Sequence, residues 1–363
     1  MTTRTMSGFR DRRWYRWAAA VTAGGLLLLG CTGSEEQGRE ESPPPANEEV
    51  EEAAPLGREV AVVLPPRSTL SPGVLDQVQA AIRELPLPED SDVRNLRTAV
   101  PETEEFVADV ARLMARDGAA LTCVVGAGGR SLVRELRDLY PDRRFCAVTT
   151  DDPPDEPREG IDVVVLRAAE VGHLVGAVAE ELVGEADPGR VALALAPTEL
   201  QQERFRAGVI AGFGGGVPIE VDPDEPPAAA VAAAVADGAE VLIVGTGPDA
   251  RAVLEAALAQ GLVVLAHGDL VDDDDLVHLT WREHWPTVLA PALDRLHGKD
   301  DPAPLSLGLA EGAFRTELGP GAPDDLEVVL LVVRKELIDG VRDPVQVVEP
   351  DREDDVEEPT EPE

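Results

Sequence analysis

Short apolar runs alternate with amphipathic stretches along most of this chain. Val, Leu, Ala and Ile crowd residues 59–64, 121–125, 144–149, 161–166, 190–195, 241–244 and 262–265 with little alternation of apolar and polar positions. Runs of that length and character are expected of strands buried on both faces. Between them, residues 74–84, 104–116, 130–139, 170–183, 200–213, 228–237 and 250–260 are predicted to be helices. Strand–helix alternation of this kind predicts an α/β protein with doubly wound parallel sheets.

The turns fit that architecture. Gly126-Ala127-Gly128-Gly129 follows a strand and opens a helix, as does Gly245-Thr246-Gly247-Pro248-Asp249. At such points the N–H groups of the helix start face the crevice beyond the strand ends, where open α/β sheets bind ligands. A tight turn that needs positive φ would use the same glycines. The spacing at 126–129 does not match a dinucleotide-binding fingerprint.

The rhythm falls into two similar halves, about 57–152 and 160–262, with crossing segments near 151–159 and 266–275. Two lobes are therefore expected, since a folded part of nearly three hundred residues favours two domains over one. Residues 57–152 with about 266–320 are assigned to the first lobe, 153–265 to the second, and about 321–348 to a C-terminal helix and strand. A cleft between lobes is a favoured ligand site, and closure about hinges is the usual motion.

The ends of the chain have another character. Arg4, Arg10, Arg12, Arg13 and Arg16 precede an apolar run at 17–29. That run is short of the roughly 20 residues a membrane-spanning helix needs. Residues 1–30 match a signal peptide, and Leu28-Leu29-Gly30-Cys31 resembles the lipobox of bacterial lipoproteins. The resemblance implies cleavage before Cys31, lipid on its thiol, and a chain held at the extracytoplasmic face of the cell membrane. An uncleaved anchor with an incidental cysteine is the alternative. Residues 31–56 are rich in Glu, Pro, Ser and Gly and are expected to form a disordered tether, as is the acidic tail at 349–363.

A formal net charge of -38 argues against nucleic acid as a partner, because no basic footprint follows the leader. Beyond Cys31 the chain has two cysteines, Cys123 and Cys146, both inside strand runs. Export permits a disulfide between them. Two buried free thiols acting as small apolar groups is the equal alternative.

Several segments resemble the basic membrane protein (BMP) family of substrate-binding lipoproteins, which includes nucleoside receptors of ABC importers. Val125-Gly126-Ala127-Gly128 through Tyr140-Pro141-Asp142-Arg143-Arg144-Phe145 is similar to the family's glycine turn, helix and strand entrance. Glu170-Val171-Gly172-His173-Leu174-Val175-Gly176 resembles a helix start of the family, and 205–212 its F-x-x-G-x-x-x-G stretch. Gly245-Thr246-Gly247, Gly268-Asp269 and Leu337-Ile338-Asp339-Gly340 fall at matching places. The likeness covers about 58–345 and implies a type I periplasmic-binding-protein clamshell that captures a small polar solute, nucleoside-like in the family, for an ABC permease. A sensing or scaffolding lipoprotein of the same fold, without transport, is the rival expectation.

This chain departs from the family where the pocket is concerned. Leu64-Pro65-Pro66-Arg67-Ser68-Thr69-Leu70-Ser71-Pro72 stands where the family has an Asp-rich turn ending in Ser-Phe-Asn, and lacks the acidic residue and the aromatic. Thr149 stands where the family often has Asp, and Thr280-Trp281-Arg282-Glu283-His284, with no Lys, where it has a Ser-x-x-Lys segment. Aromatic residues make up 3% of the chain, which offers little to stack a nucleobase. The candidate ligand-binding residues are Arg67, Ser68, Gly126, Gly128, Thr149, Gly247, Asp269, Trp281 and Arg282. Asp269 would accept hydrogen bonds from ligand hydroxyls, Trp281 would stack, and Arg67 or Arg282 would fork onto an anionic group. Ordinary surface or core roles compete at each position. Glu170 is expected to cap its helix rather than touch ligand. His267, Asp269, Asp272 to Asp275 and His278 form a polar run whose carboxylates and imidazoles suggest a cation site, and with it a metal-binding protein as a third reading. Four consecutive Asp point to several faces, so a solvated loop is the expectation. No metal, cofactor or enzymatic activity is expected: no nucleophile elbow and no His-Glu-x-x-His helix occurs.

Overall fold

The computed structural model describes residues 59–69, 72–83, 85, 95–126, 128–150, 158–184, 190–195, 200–214, 216–270, 275–294, 296 and 305–345. All of them belong to one compact unit. The leader, Cys31, the tether and the acidic tail lie outside the described residues.

Two separate six-stranded sheets form the framework. The first holds β1 (Glu59–Val63), β2 (Asn95–Ala99), β3 (Leu121–Val125), β4 (Arg144–Thr149), β5 (Ile161–Leu166) and β11 (Leu305–Leu307) in the order β11-β5-β4-β3-β1-β2, all parallel. The second holds β6 (Val191–Ala194), β7 (Ile219–Glu220), β8 (Val241–Val244), β9 (Val263–His267), β10 (Val277–Glu283) and β12 (Phe314–Leu318) in the order β12-β10-β9-β8-β6-β7. Only its edge strand β12 runs antiparallel, against β10.

Both faces of the first sheet are buried, which is why its strands read as unbroken apolar runs. Val60, Val62 and Leu64 point to one core, and Ala61 and Val63 to another shared with Ala111, Met114, Val133 and Leu136. Those four come from α2 (Val107–Arg116) and α3 (Gly129–Leu139), while α1 (Pro72–Arg83) covers the opposite face with Val78 and Ile82. In the second lobe, α4 (Ala168–Val183) is buried nearly all round, as an almost wholly apolar helix must be.

The glycine motifs of α4 and of α5 (Leu200–Gly212) have a packing explanation. A Cβ at Gly172 or Gly176 would overlap the backbone of Phe205 or Val209, and one at Gly208 or Gly212 would overlap that of Ala169 or His173. The two helices touch backbone to backbone, so these family-like glycines serve helix contact rather than ligand. The remaining helices are α6 (Pro227–Ala236), α7 (Ala250–Gln260), α8 (Trp285–Asp294) and α9 (Asp325–Ile338).

The lobe boundaries differ from those expected. β5 lies before the crossing, in the first sheet beside β4, whereas 153–265 was assigned to the second lobe. Of residues 266–320, β11 alone among the described strands joins the first sheet; β10 and β12 stay in the second. Among the described residues of 321–348, where a helix and a strand are expected, α9 forms and no strand does; β12 lies before that segment. Sheet membership follows from pairing partners, which an apolar run does not reveal.

Candidate functional site

In both sheets the strand order reverses once, between β1 and β3 in the first and between β6 and β8 in the second. Loops diverge at such points and leave a crevice beyond the strand ends. At the second of them the structure holds a cavity of about 270 Å³. Ala194, Leu195, Val221, Ala230, Val244 and Val253 make an apolar floor. Asp222, Asp224, Glu225 and Asp249, all exposed, stand around its mouth. Ser68, from the loop after β1, reaches it from the first lobe.

Local sequence explains this shape. Gly245 donates its N–H to Ala194 O at 3.0 Å, and a Cβ there would press into the Leu195 side chain. The Asp222 carboxylate accepts the Asp224 N–H at 2.9 Å, which tightens the turn that leads to α6. Pro227 opens that helix, where a missing N–H costs nothing. Asp249 stands at the N-cap of α7.

A second, smaller cavity of about 30 Å³ shares Leu195, Gly245 and Thr246 with the first and continues past the ends of β9 and β10. It has room for about one water. Phe205 and Trp281 stack along its side with centroids 5.1 Å apart, and His267 meets Trp281 edge-on at 6.3 Å. The buried His267 imidazole donates from Nε2 to the Glu283 carboxylate at 3.0 Å.

The first lobe's switch point is built otherwise. Leu64 N–H bonds Ala99 O at 2.9 Å and Arg67 N–H bonds Pro101 O at 2.9 Å, so the chain after β1 hugs the β2 side. The Arg67 guanidinium turns outward and pairs with Glu102 at 3.4 Å, with both side chains exposed. Gly126 has φ +114° and lies against Pro65, at 3.6 Å for a Cβ placed there. Gly128 sits left-handed at the start of α3. Thr149 is buried at the end of β4.

The sequence candidates thus scatter. Ser68 and Gly247 line the larger cavity and Trp281 the smaller, while Arg67, Gly126, Gly128, Thr149 and Arg282 line neither. Trp281 and Arg282 are consecutive in a strand and point to opposite faces: Trp281 into the core, Arg282 toward Glu317 on β12 at 3.4 Å. The backbone of Asp269 forms a single turn, Gly268–Leu270; its side chain, and residues 271–274, lie outside what is described. Cys123 and Cys146 are free thiols, a correction to the disulfide alternative. They lie directly opposite each other on β3 and β4, inside the apolar core. Burial, then the neighbouring Cys146, pushes the Cys123 thiol well above its ordinary pKa, so it stays protonated and inert. Among the described residues no three His, Cys, Asp or Glu gather as a metal-binding set.

Among the described strands the chain passes from one sheet to the other at three places, after β5, after β10 and between β11 and β12. Glu170, expected to cap α4, ties the first to the third. Its carboxylate accepts the Leu309 N–H at 2.8 Å and pairs with Arg167 at 3.0 Å. Arg167 also pairs with Glu311, whose carboxylate takes the Gly308 N–H at 2.7 Å. Burial holds the Glu170 pKa above its ordinary value, against the opposing pull of the Leu309 N–H and Arg167. His284 ties the second crossing to the third through its N–H to Ala313 O at 2.7 Å and its Nε2, which accepts from Arg315 at 2.6 Å. Sequence reasoning missed these ties because the contacts that join one crossing to another, such as Glu170 with Leu309 and His284 with Ala313, link residues distant along the chain.

No family model matches this chain, and no curated protein matches it. Solved structures do. It is similar to an ABC transporter solute-binding protein from Aeropyrum pernix K1, with TM-score 0.56 and 15% identity over 79% of this chain and 92% of that one. It is similar to a transcriptional activator of the comK gene from Bacillus halodurans, with TM-score 0.59 and 15% identity over 78% and 99%. A solute-binding protein from Conexibacter woesei DSM 14684 matches with TM-score 0.56 and 16% identity over 78% and 97%. The chain therefore has the type I periplasmic-binding-protein fold, two parallel-sheet α/β lobes with three crossings.

Proposed function

We propose that this protein is a lipid-anchored, extracytoplasmic receptor of the BMP type that captures a small polar solute between its lobes and delivers it to an ABC importer. The carrying observation is the 270 Å³ cavity at the β6–β8 switch point, walled by the second lobe and reached by Ser68 of the first. A solute seated there touches both lobes, so its binding energy favours the closed arrangement. Solute-binding proteins among the structural neighbours support the transport role, and the leader ending in Cys31 supports the anchor. Among the described residues no aromatic side chain lines the larger cavity, which gives no support to a stacked nucleobase.

A thermal-shift screen over sugars, nucleosides, amino acids and amines tests the receptor reading. A solute that binds only the folded state raises the melting temperature by mass action. Flat responses throughout would refute it. Cys31→Ser should release the protein from the membrane fraction; retention would refute the anchor. The sensing alternative draws support from the Arg67–Glu102 pair, which occupies the loop where family members carry pocket residues. Loss of solute uptake on deleting the gene supports import, and unchanged uptake supports sensing.

A further inference from the structure

We infer that the solute is an organic cation with an apolar body. This rests on reading the larger cavity as the solute site. Its floor is built from Ala194, Leu195, Val221, Ala230, Val244 and Val253, and offers van der Waals contact rather than hydrogen bonds. Among the described residues its mouth carries four carboxylates, Asp222, Asp224, Glu225 and Asp249. Two helices, α6 and α7, start beside it, and N-termini by themselves invite an anion. Each contributes about half a positive elementary charge. The two together supply about one, against four formal negatives, so the mouth remains anionic. Among the described residues, no Lys or Arg lines either cavity. His267, the basic side chain on the smaller one, already holds Glu283. A carboxylate or phosphate ligand would meet uncompensated repulsion at the mouth. A neutral one would leave the charges unused. An ammonium or guanidinium head on a short apolar body satisfies floor and mouth together.

Three probes of one shape isolate the head group: hexylammonium, hexanol and hexanoate, titrated calorimetrically into the full chain at low salt. Hexylammonium should bind about tenfold tighter than hexanol, with hexanoate weakest, as expected for one cation facing several carboxylates across wet surface. Raising salt well beyond physiological strength should shrink the gap. Asp224→Asn with Glu225→Gln should erase most of it. Val253→Trp, which fills the floor, should abolish hexylammonium binding; unchanged binding in that variant would place the cation on the acidic surface and overturn the inference. Equal or reversed affinities would also overturn it, while another solute whose thermal shift Val253→Trp abolishes would leave the receptor reading intact. If no solute of any class bound, both would fall.

Discussion

At the end of β1, two prolines and an outward-facing Arg67–Glu102 pair draw the chain along the sheet edge; beside β6, the glycine turn after β8 and the acidic loop after β7 stand apart and leave a cavity of about 270 Å³. The two lobes share a strand order, and each has its switch point in the same place. Topology supplies the crevice, but local residues decide whether it holds anything. The lobes also pack differently. Leucine and valine side chains join α3 to the first sheet, whereas bare glycine backbone joins α4 to α5 in the second.

The largest effect expected from breaking this comparison is at the glycine contact. Gly176→Val drives side-chain atoms into the Val209 backbone and should destabilise the protein by about 3 kcal/mol in chemical denaturation. The matched first-lobe change, Gly128→Ala, meets open space and should show only the left-handed backbone cost, about 1–2 kcal/mol. Equal costs would contradict the packing contrast. Next comes the tie between crossings. Glu170→Ala leaves the Leu309 N–H without its acceptor and should cost about 1–3 kcal/mol by the same measurement. Glu170→Gln, which keeps an acceptor, should cost less.

Acid should act through the chain from α4 onward, because all five histidines follow residue 172. Burial first, and Arg342 second, lower the His173 pKa from its ordinary 6.5; burial, then Arg315 and Arg282, lower that of His284. A depressed imidazole binds its proton more readily in the unfolded chain. Stability therefore falls as pH drops through the ordinary value of about 6.5 toward the lower folded value, and recovers above it. His173→Leu should shrink the loss of melting temperature between neutral and mildly acid solution; an unchanged loss would exclude His173 as its source. The smallest effect is at Arg67. Arg67→Ala removes an exposed pair, should cost under about 1 kcal/mol, and should leave solute affinity unchanged.

Buried strands were the legible part of the fold. β3, β4, β5 and β8 match their apolar runs residue for residue. β2, as Asn-Leu-Arg-Thr-Ala, is an edge strand with half-exposed faces and has no such run. β10 alternates buried Val277, Leu279 and Trp281 with polar neighbours, a period-two pattern that a search for continuous apolar stretches passes over. The site was less legible for a related reason. Glycine turns mark strand-to-helix corners in both lobes alike, so Gly126 and Gly247 look equivalent in sequence. Asp222, Asp224 and Glu225 gain meaning only once β7 pairs beside β6 and brings their loop to the Gly245 turn. A dense acidic and proline turn, Asp222-Pro223-Asp224-Glu225-Pro226-Pro227, was the signal available.

Hydrogen–deuterium exchange, with and without the solute that most raises the melting temperature, tests the two-lobe capture most directly. Bound solute should slow exchange at 245–250 in the second lobe and at 67–69 in the first together. Slowing in one lobe alone, or away from both segments, would contradict it.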